Sequence, residues 1–135
     1  MLITETIKGT LKLQILLWYI AHRLQVANKK SEEFRKTIKD KKFVLQIGTH
    51  NAFCVRYFSV SDGRIFSETR KHDQPDLTIQ FKTAEDGFEL LAKGSQTSFM
   101  YALQEGKINM QGDPSILFWF SGIAHFLKPG HRQKH

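Results

Sequence analysis

One cysteine, Cys54, is all that the 135 residues contain. No disulfide can form within the chain, so the fold rests on a packed core, and the composition suits a reducing compartment. Long apolar runs are missing as well. The best candidate, residues 11–21, is broken by Lys12 and Gln14 and stopped by His22 and Arg23. A bilayer-spanning helix needs about 20 apolar residues, and this run is too short and too polar. The first ten residues, with Glu5 and Lys8, lack the basic start, apolar stretch and small-residue cut site of a secretory leader. Cytoplasmic residence is the expectation.

Reactive machinery is equally scarce. There is no glycine-rich phosphate loop after a strand and no nucleophile elbow. Among the six histidines, His22, His50, His72 and His125 fall on different elements. None has ligand spacing to Cys54 or a carboxylate. His131 and His135 are four apart but follow Pro129-Gly130 in a polar tail. Glu85, Asp86 and Glu89 occupy the early turns of one helix, where they suit the helix dipole better than a catalytic pair. The reading is no metal, no cofactor and no catalytic residue.

What is present is an ordinary globular composition, 41% hydrophobic and 24% charged. A chain of this length suits one domain and buries roughly two-thirds of its unfolded surface. The net charge of +7 is uneven. Residues 1–42 hold ten Lys/Arg against four Asp/Glu, leaving only +1 for residues 43–135. The basic character belongs to an N-terminal appendage suited to an anionic surface. The strand aromatics alternate as core positions and form no exposed stacking face, so nucleic acid is not an expected partner.

Periodicity divides the chain into a helical segment, 1–42, a mixed unit, 43–128, and the tail, 129–135. Residues 10–40 read as helix, with Leu13, Leu16, Leu17, Ile20, Leu24 and Ala27 on one stripe. A second stripe of Leu11, Ile15, Trp18, Tyr19 and Val26 lies roughly opposite. Ser31 followed by Glu32 and Glu33 predicts a break near residues 28–30 and a new N-cap. Three strands follow around Phe43, Val55 and Arg64 as an antiparallel meander, the second hairpin turning on Asp62-Gly63. A fourth strand carries Leu77, Ile79 and Phe81 on its core face. Thr83 with Asp86 starts a helix whose buried side is Phe88, Leu91 and Ala92, with Gly94 as C-cap. Ser95 opens another with Phe99, Met100 and Leu103 inward, ended by Gly106. Residues 107–111 form a fifth strand. Asp113-Pro114 opens a last helix to about residue 127, apolar around most of its girth.

This order, with its punctuation, resembles the sterol carrier protein 2 (SCP2) family, bacterial stand-alone type. The resemblance spans about residues 43–127. It rests on Asp62-Gly63, on Pro75-Asp76-Leu77-Thr78-Ile79, and on Phe88-Glu89-Leu90-Leu91-Ala92-Lys93-Gly94. It continues through residues 99–106 and Lys107-Ile108-Asn109-Met110-Gln111-Gly112-Asp113. It implies an α+β fold, a five-stranded, mostly antiparallel sheet with helices on one face and an apolar tunnel between the layers. Members bind sterols, fatty acids, acyl-CoAs or other lipids there without catalysis, and some bacterial relatives assist ubiquinone biosynthesis. The chain departs from the animal carriers in lacking a peroxisomal ending and in its long basic N-terminal helix.

A lipid tunnel needs apolar side chains converging from several elements. From the strands the candidates are Phe53, Val55, Tyr57, Phe81 and Met110. From the helices they are Phe88, Leu91, Phe99, Met100, Leu103, Trp119, Phe120 and Ile123. An ordinary packed core would use the same residue types. Burial of each ligand CH₂ contributes roughly 0.8 kcal/mol, so such a site binds without catalytic groups. The N-terminal helix has three readings: it covers a sheet edge, touches an anionic membrane or partner enzyme, or self-associates. Trp18 and Tyr19 with Lys12, Arg23, Lys29 and Lys30 suit an interfacial helix, and Trp18 equally suits a core. The expected partner is a lipid. The competing reading is an accessory protein whose apolar helix docks an enzyme of lipid or ubiquinone synthesis.

Overall fold

The computed structural model describes residues 2–127, with side chains from residue 7 onward. The polar tail, with His131 and His135, lies outside the described residues. The first helix, α1, runs Leu2–Lys30, so it begins about two turns earlier than the apolar periodicity suggests. It ends at Ser31, whose Oγ accepts the Phe34 N–H at 3.1 Å and caps α2 (Glu32–Ile38).

Five strands form one sheet: β1 (Phe43–Thr49), β2 (Val55–Ser61), β3 (Arg64–Glu68), β4 (Leu77–Phe81) and β5 (Ile108–Gly112). Their spatial order is β3-β2-β1-β4-β5. Only β1 and β4 pair in parallel, since the chain leaves the β3 edge and crosses to the far side of β1. The β2–β3 hairpin turns on Asp62 and Gly63 at φ 55° and 74°. Two successive positive values are what a type I′ turn demands, and an Asp-Gly pair supplies them cheaply.

Between β4 and β5 lie α3 (Ala84–Lys93) and α4 (Gln96–Gln104), and after β5 comes α5 (Ser115–Gly122). Thr83 Oγ1 accepts the Asp86 N–H at 3.0 Å, and Ser95 caps α4 in the same way. Asp113 Oδ1 accepts both the N–H and the hydroxyl of Ser115, which lowers the Asp113 pKa and fixes the start of α5. The last helix is shorter than expected: α5 stops at Gly122 and the chain continues as a 3₁₀ turn at Ala124–Phe126.

The helices cover one face of the sheet. Cross-strand partners share a face, so Phe43, Leu45 and Ile47 of β1 stand with Val60, Phe58 and Arg56 of β2. These, Arg56 apart, join Leu77, Ile79 and Phe81 in one cluster with Leu13, Leu17 and Leu24 of α1 and Phe34 of α2. Each fully buried leucine of α1 contributes about 1.5–3 kcal/mol. Polar bonds fix α1 along the β3 edge: Gln25 Nε2 donates to the Ile65 carbonyl at 2.5 Å and Asn28 Nδ2 to that of Gly63 at 3.1 Å. The outer face is mostly polar, with Phe66 exposed on it, and is partly covered by residues 70–76. There the His72 N–H donates to Gln46 Oε1 at 2.7 Å, and the His72 ring meets Tyr57 edge-on at 4.8 Å.

Candidate functional site: the layer between sheet and helices

Aromatic and branched side chains from every major element meet between sheet and helices. Phe34, Phe58, Phe81 and Phe99 are fully buried there. The C-terminal segment closes one end: Phe126 meets Phe34 edge-on at 5.5 Å, and Trp119 meets Phe43 at 5.0 Å. Trp119 Nε1 donates to Thr37 Oγ1 at 3.4 Å, which gives the indole its polar partner.

The thirteen residues read as tunnel lining divide into three groups. Phe81, Leu91, Phe99, Phe120 and Ile123 meet within the buried cluster, and Leu103, Met110 and Trp119 are half-buried against it. Phe88 is half-buried on the α1–α3 seam, with Lys12 Nζ 4.8 Å from its ring centroid. The other four lie apart. Phe53, in the β1–β2 turn, is 65% exposed, and Met100 on α4 is 38% exposed. Val55 and Tyr57 point to the outer face, where Tyr57 is covered by His72 and Arg70.

These differences trace to packing between elements. On β2 the inner parity is Cys54, Arg56, Phe58 and Val60, and its one charge disguises it. The alternation Phe58-Ser59-Val60-Ser61 carries the correct signal. On α3 the buried residues are Gly87, Leu90 and Leu91, whereas Ala92 is exposed. Gly87 sets that rotation, because a Cβ there would lie 2.5 Å from Cδ2 of Phe81. On α4, Ala102 turns inward with Phe99, and Met100 is left on the solvent side. Phe58 and Leu117, not among the lining candidates, are only 1% exposed and belong to the cluster.

At one end the inner face becomes polar. Cys54 is buried, and burial pushes its thiol up to about 11. Arg56 follows on the same face, half-buried, and donates from Nη1 to Ser67 Oγ at 2.8 Å. Its pKa is lowered, chiefly by burial.

Of the second stripe of α1, Leu11, Ile15 and Trp18 stand free of the protein, joined by Ile7, whereas Tyr19 and Val26 are half-buried. Ile7, Leu11, Ile15 and Trp18 are 61%, 54%, 57% and 57% exposed. At about 100° per residue they fall on the side roughly opposite Leu13, Leu17, Ile20 and Leu24. Trp18 stacks on His22 at 5.8 Å. Of the predicted contact residues, Lys12, Lys29 and Lys30 are exposed and Tyr19 and Arg23 half-buried. Lys12, Tyr19, Arg23 and Lys30 line one flank of the stripe. Among the described residues no helix is long and apolar enough to cross a membrane, and no three His, Cys, Asp or Glu side chains gather to hold a metal.

No protein-family model and no curated protein sequence matches the chain. Solved structures do. The ubiquinone synthesis protein UbiJ-SCP2 is similar over 84% of this chain and 99% of its own, at 15% identity and a TM-score of 0.59. Palmitated SCP2L2 from Aedes aegypti is similar over 87% of this chain and 96% of its own, at 15% identity and TM-score 0.51. The stereoselective inverting sec-alkylsulfatase Pisa1 from Pseudomonas sp. matches 65% of this chain at 15% identity and TM-score 0.54, within only 14% of its own length.

Proposed function

We propose that this chain, a mixed five-stranded sheet with its helices on one side in the SCP2-like fold, binds or presents a hydrophobic lipid of sterol, fatty acyl or prenyl-quinone type between sheet and helices, with no reaction of its own. One observation carries this reading: the layer between sheet and helices is built of aromatic and aliphatic side chains on a fold that a palmitated protein shares. The residues proposed to line the site are those that converge, Phe81, Leu91, Phe99, Phe120 and Ile123, with Leu103, Met110 and Trp119 at its margin. Affinity comes from apolar burial, about 0.8 kcal/mol per CH₂, without any group that must ionise.

Native mass spectrometry of the protein purified from its own cells, followed by extraction of what it carries, tests the reading. A stoichiometric lipid is the expected result. A clean apo mass, unchanged after incubation with oleate, oleyl alcohol and a prenyl quinone, would remove it.

The exposed stripe of α1 favours a second role for the same protein, contact with an anionic membrane from which a lipid is taken. An apolar strip bordered by Lys12, Arg23 and Lys30 has the composition of an interfacial helix. The competing reading keeps the fold and gives the stripe to an enzyme of lipid or quinone synthesis. The likeness to a ubiquinone synthesis protein supports it.

A further inference from the structure

Arg56 stands where an apolar layer has least use for it. It shares its face of β2 with Phe58 and Val60 and lies across from Ile47, which is fully buried. Among the described residues its guanidinium donates only to Ser67 Oγ, and no carboxylate pairs with it. A half-buried guanidinium without a counter-ion costs stability that any hydrophobic residue of similar size would avoid. The nearby acid, Glu68, points to the other face and is already engaged by Arg70.

Beside Arg56 the β3 edge opens into a cleft of about 340 Å³ lined by Arg56, Ser67, Glu68, Thr69 and Arg70. The two arginines outnumber the one acid. Along the inner face the polar end, Cys54 and Arg56, passes directly into Ile47 and Phe58. That gradient matches a ligand with one charged end.

We infer that Arg56 is a binding residue for the anionic head, a carboxylate or phosphate, of an amphiphile whose tail lies between sheet and helices. The inference rests on the lipid-binding reading above and narrows its ligand to acidic lipids. Ser67 holds Nη1 of the guanidinium and Arg56 lines the cleft, where a planar fork can pair with a carboxylate or phosphate in a bidentate manner. Burial raises the value of that bond, because the competing water is partly removed.

The test compares oleate, oleyl alcohol and inorganic phosphate by calorimetric titration of the full chain. Oleate and oleyl alcohol share a tail and differ in the head. The native protein is expected to bind oleate about tenfold or more tightly than the alcohol, the usual scale of a charge-assisted bond. Arg56→Gln should abolish that preference and leave the alcohol unchanged, and Arg56→Lys should restore part of it. Lys82→Gln, an exposed cation outside the cleft, should leave the preference intact. Thermal melts report whether each variant folds. Should Arg56→Gln fail to fold, Ser67→Ala carries the same comparison with a reduced preference expected.

Equal affinity of the native protein for both amphiphiles, or a preference that survives Arg56→Gln, overturns the head-group site and leaves lipid binding standing. Phosphate binding that depends on Arg56, with neither amphiphile bound, assigns the site to a free anion and removes the lipid reading instead. No binding of any probe removes both.

Discussion

Gly87 sits inside α3 with the Phe81 ring against its backbone. A side-chain carbon there would lie 2.5 Å from Cδ2 and 2.8 Å from Cγ of a phenylalanine that is fully buried. Replacing a mid-helix glycine with alanine ordinarily stabilises by about 1 kcal/mol. Here the ring cannot move without disturbing the layer, and overpacking of this kind costs about 1–3 kcal/mol. Gly87→Ala should lower stability in urea denaturation, whereas Gly122→Ala, with nothing within 4 Å of the added carbon, should not. Equal effects of the two would mean that α3 does not ride on Phe81. Cys54 gives a second test at this scale. Burial raises its pKa from 9.0 to about 11, so less thiolate is available and alkylation at neutral pH should be about a hundredfold slower than in the unfolded chain. The sign for stability follows. The unfolded thiol loses its proton first as pH rises through about 9, so stability is complete below that pH and declines toward 11. Cys54→Ala should flatten that decline, measured by denaturation at a series of pH values.

At the scale of elements, what local chemistry specifies was legible, and what long-range packing specifies was less so. Ser31, Thr83 and Ser95 announce helix starts because a short side chain caps backbone N–H groups within three residues. Asp62-Gly63 announces a hairpin for an equally local reason. Thr83→Ala should therefore cost about 1 kcal/mol, read from the denaturation midpoint. The inner parity of β2 and the rolling angle of α3 are decided elsewhere, by Ile47 across the sheet and by Phe81 beneath Gly87. Val55, Tyr57 and Met100 lie apart for reasons of this kind, since apolar residues occur on both parities of β2 and around much of α4, whereas Phe53 falls in the β1–β2 turn. The two stripes of α1 were visible as a pair, but periodicity cannot tell which one the protein covers. Substitution separates them. Leu17→Ala or Leu24→Ala should cost about 2–5 kcal/mol, because each leaves a cavity in the cluster. Ile15→Ser, on the exposed side, should change stability by less than about 0.5 kcal/mol.

On the whole molecule, the exposed stripe and the uneven charge reinforce one another. Residues 1–42 carry nearly all of the excess positive charge, and α1 lies among them with Ile7, Leu11, Ile15 and Trp18 facing out. The proposed lipid contact lies on the helical side, where this stripe is exposed. Membrane contact of this design combines apolar insertion with attraction to anionic headgroups, and only the second responds to salt. Flotation with phosphatidylserine-rich vesicles should recover the protein at about 0.1 M salt and release much of it at about 1 M, where screening shortens from about 10 Å to about 3 Å. Leu11→Ser combined with Ile15→Ser should abolish recovery without lowering stability. Equal recovery with phosphatidylcholine vesicles would contradict the electrostatic half of this reading. Failure to bind any vesicle would give the stripe to a protein partner, and a mass twice that of the monomer in light scattering, lost in the same double variant, would name a second copy of the chain as that partner.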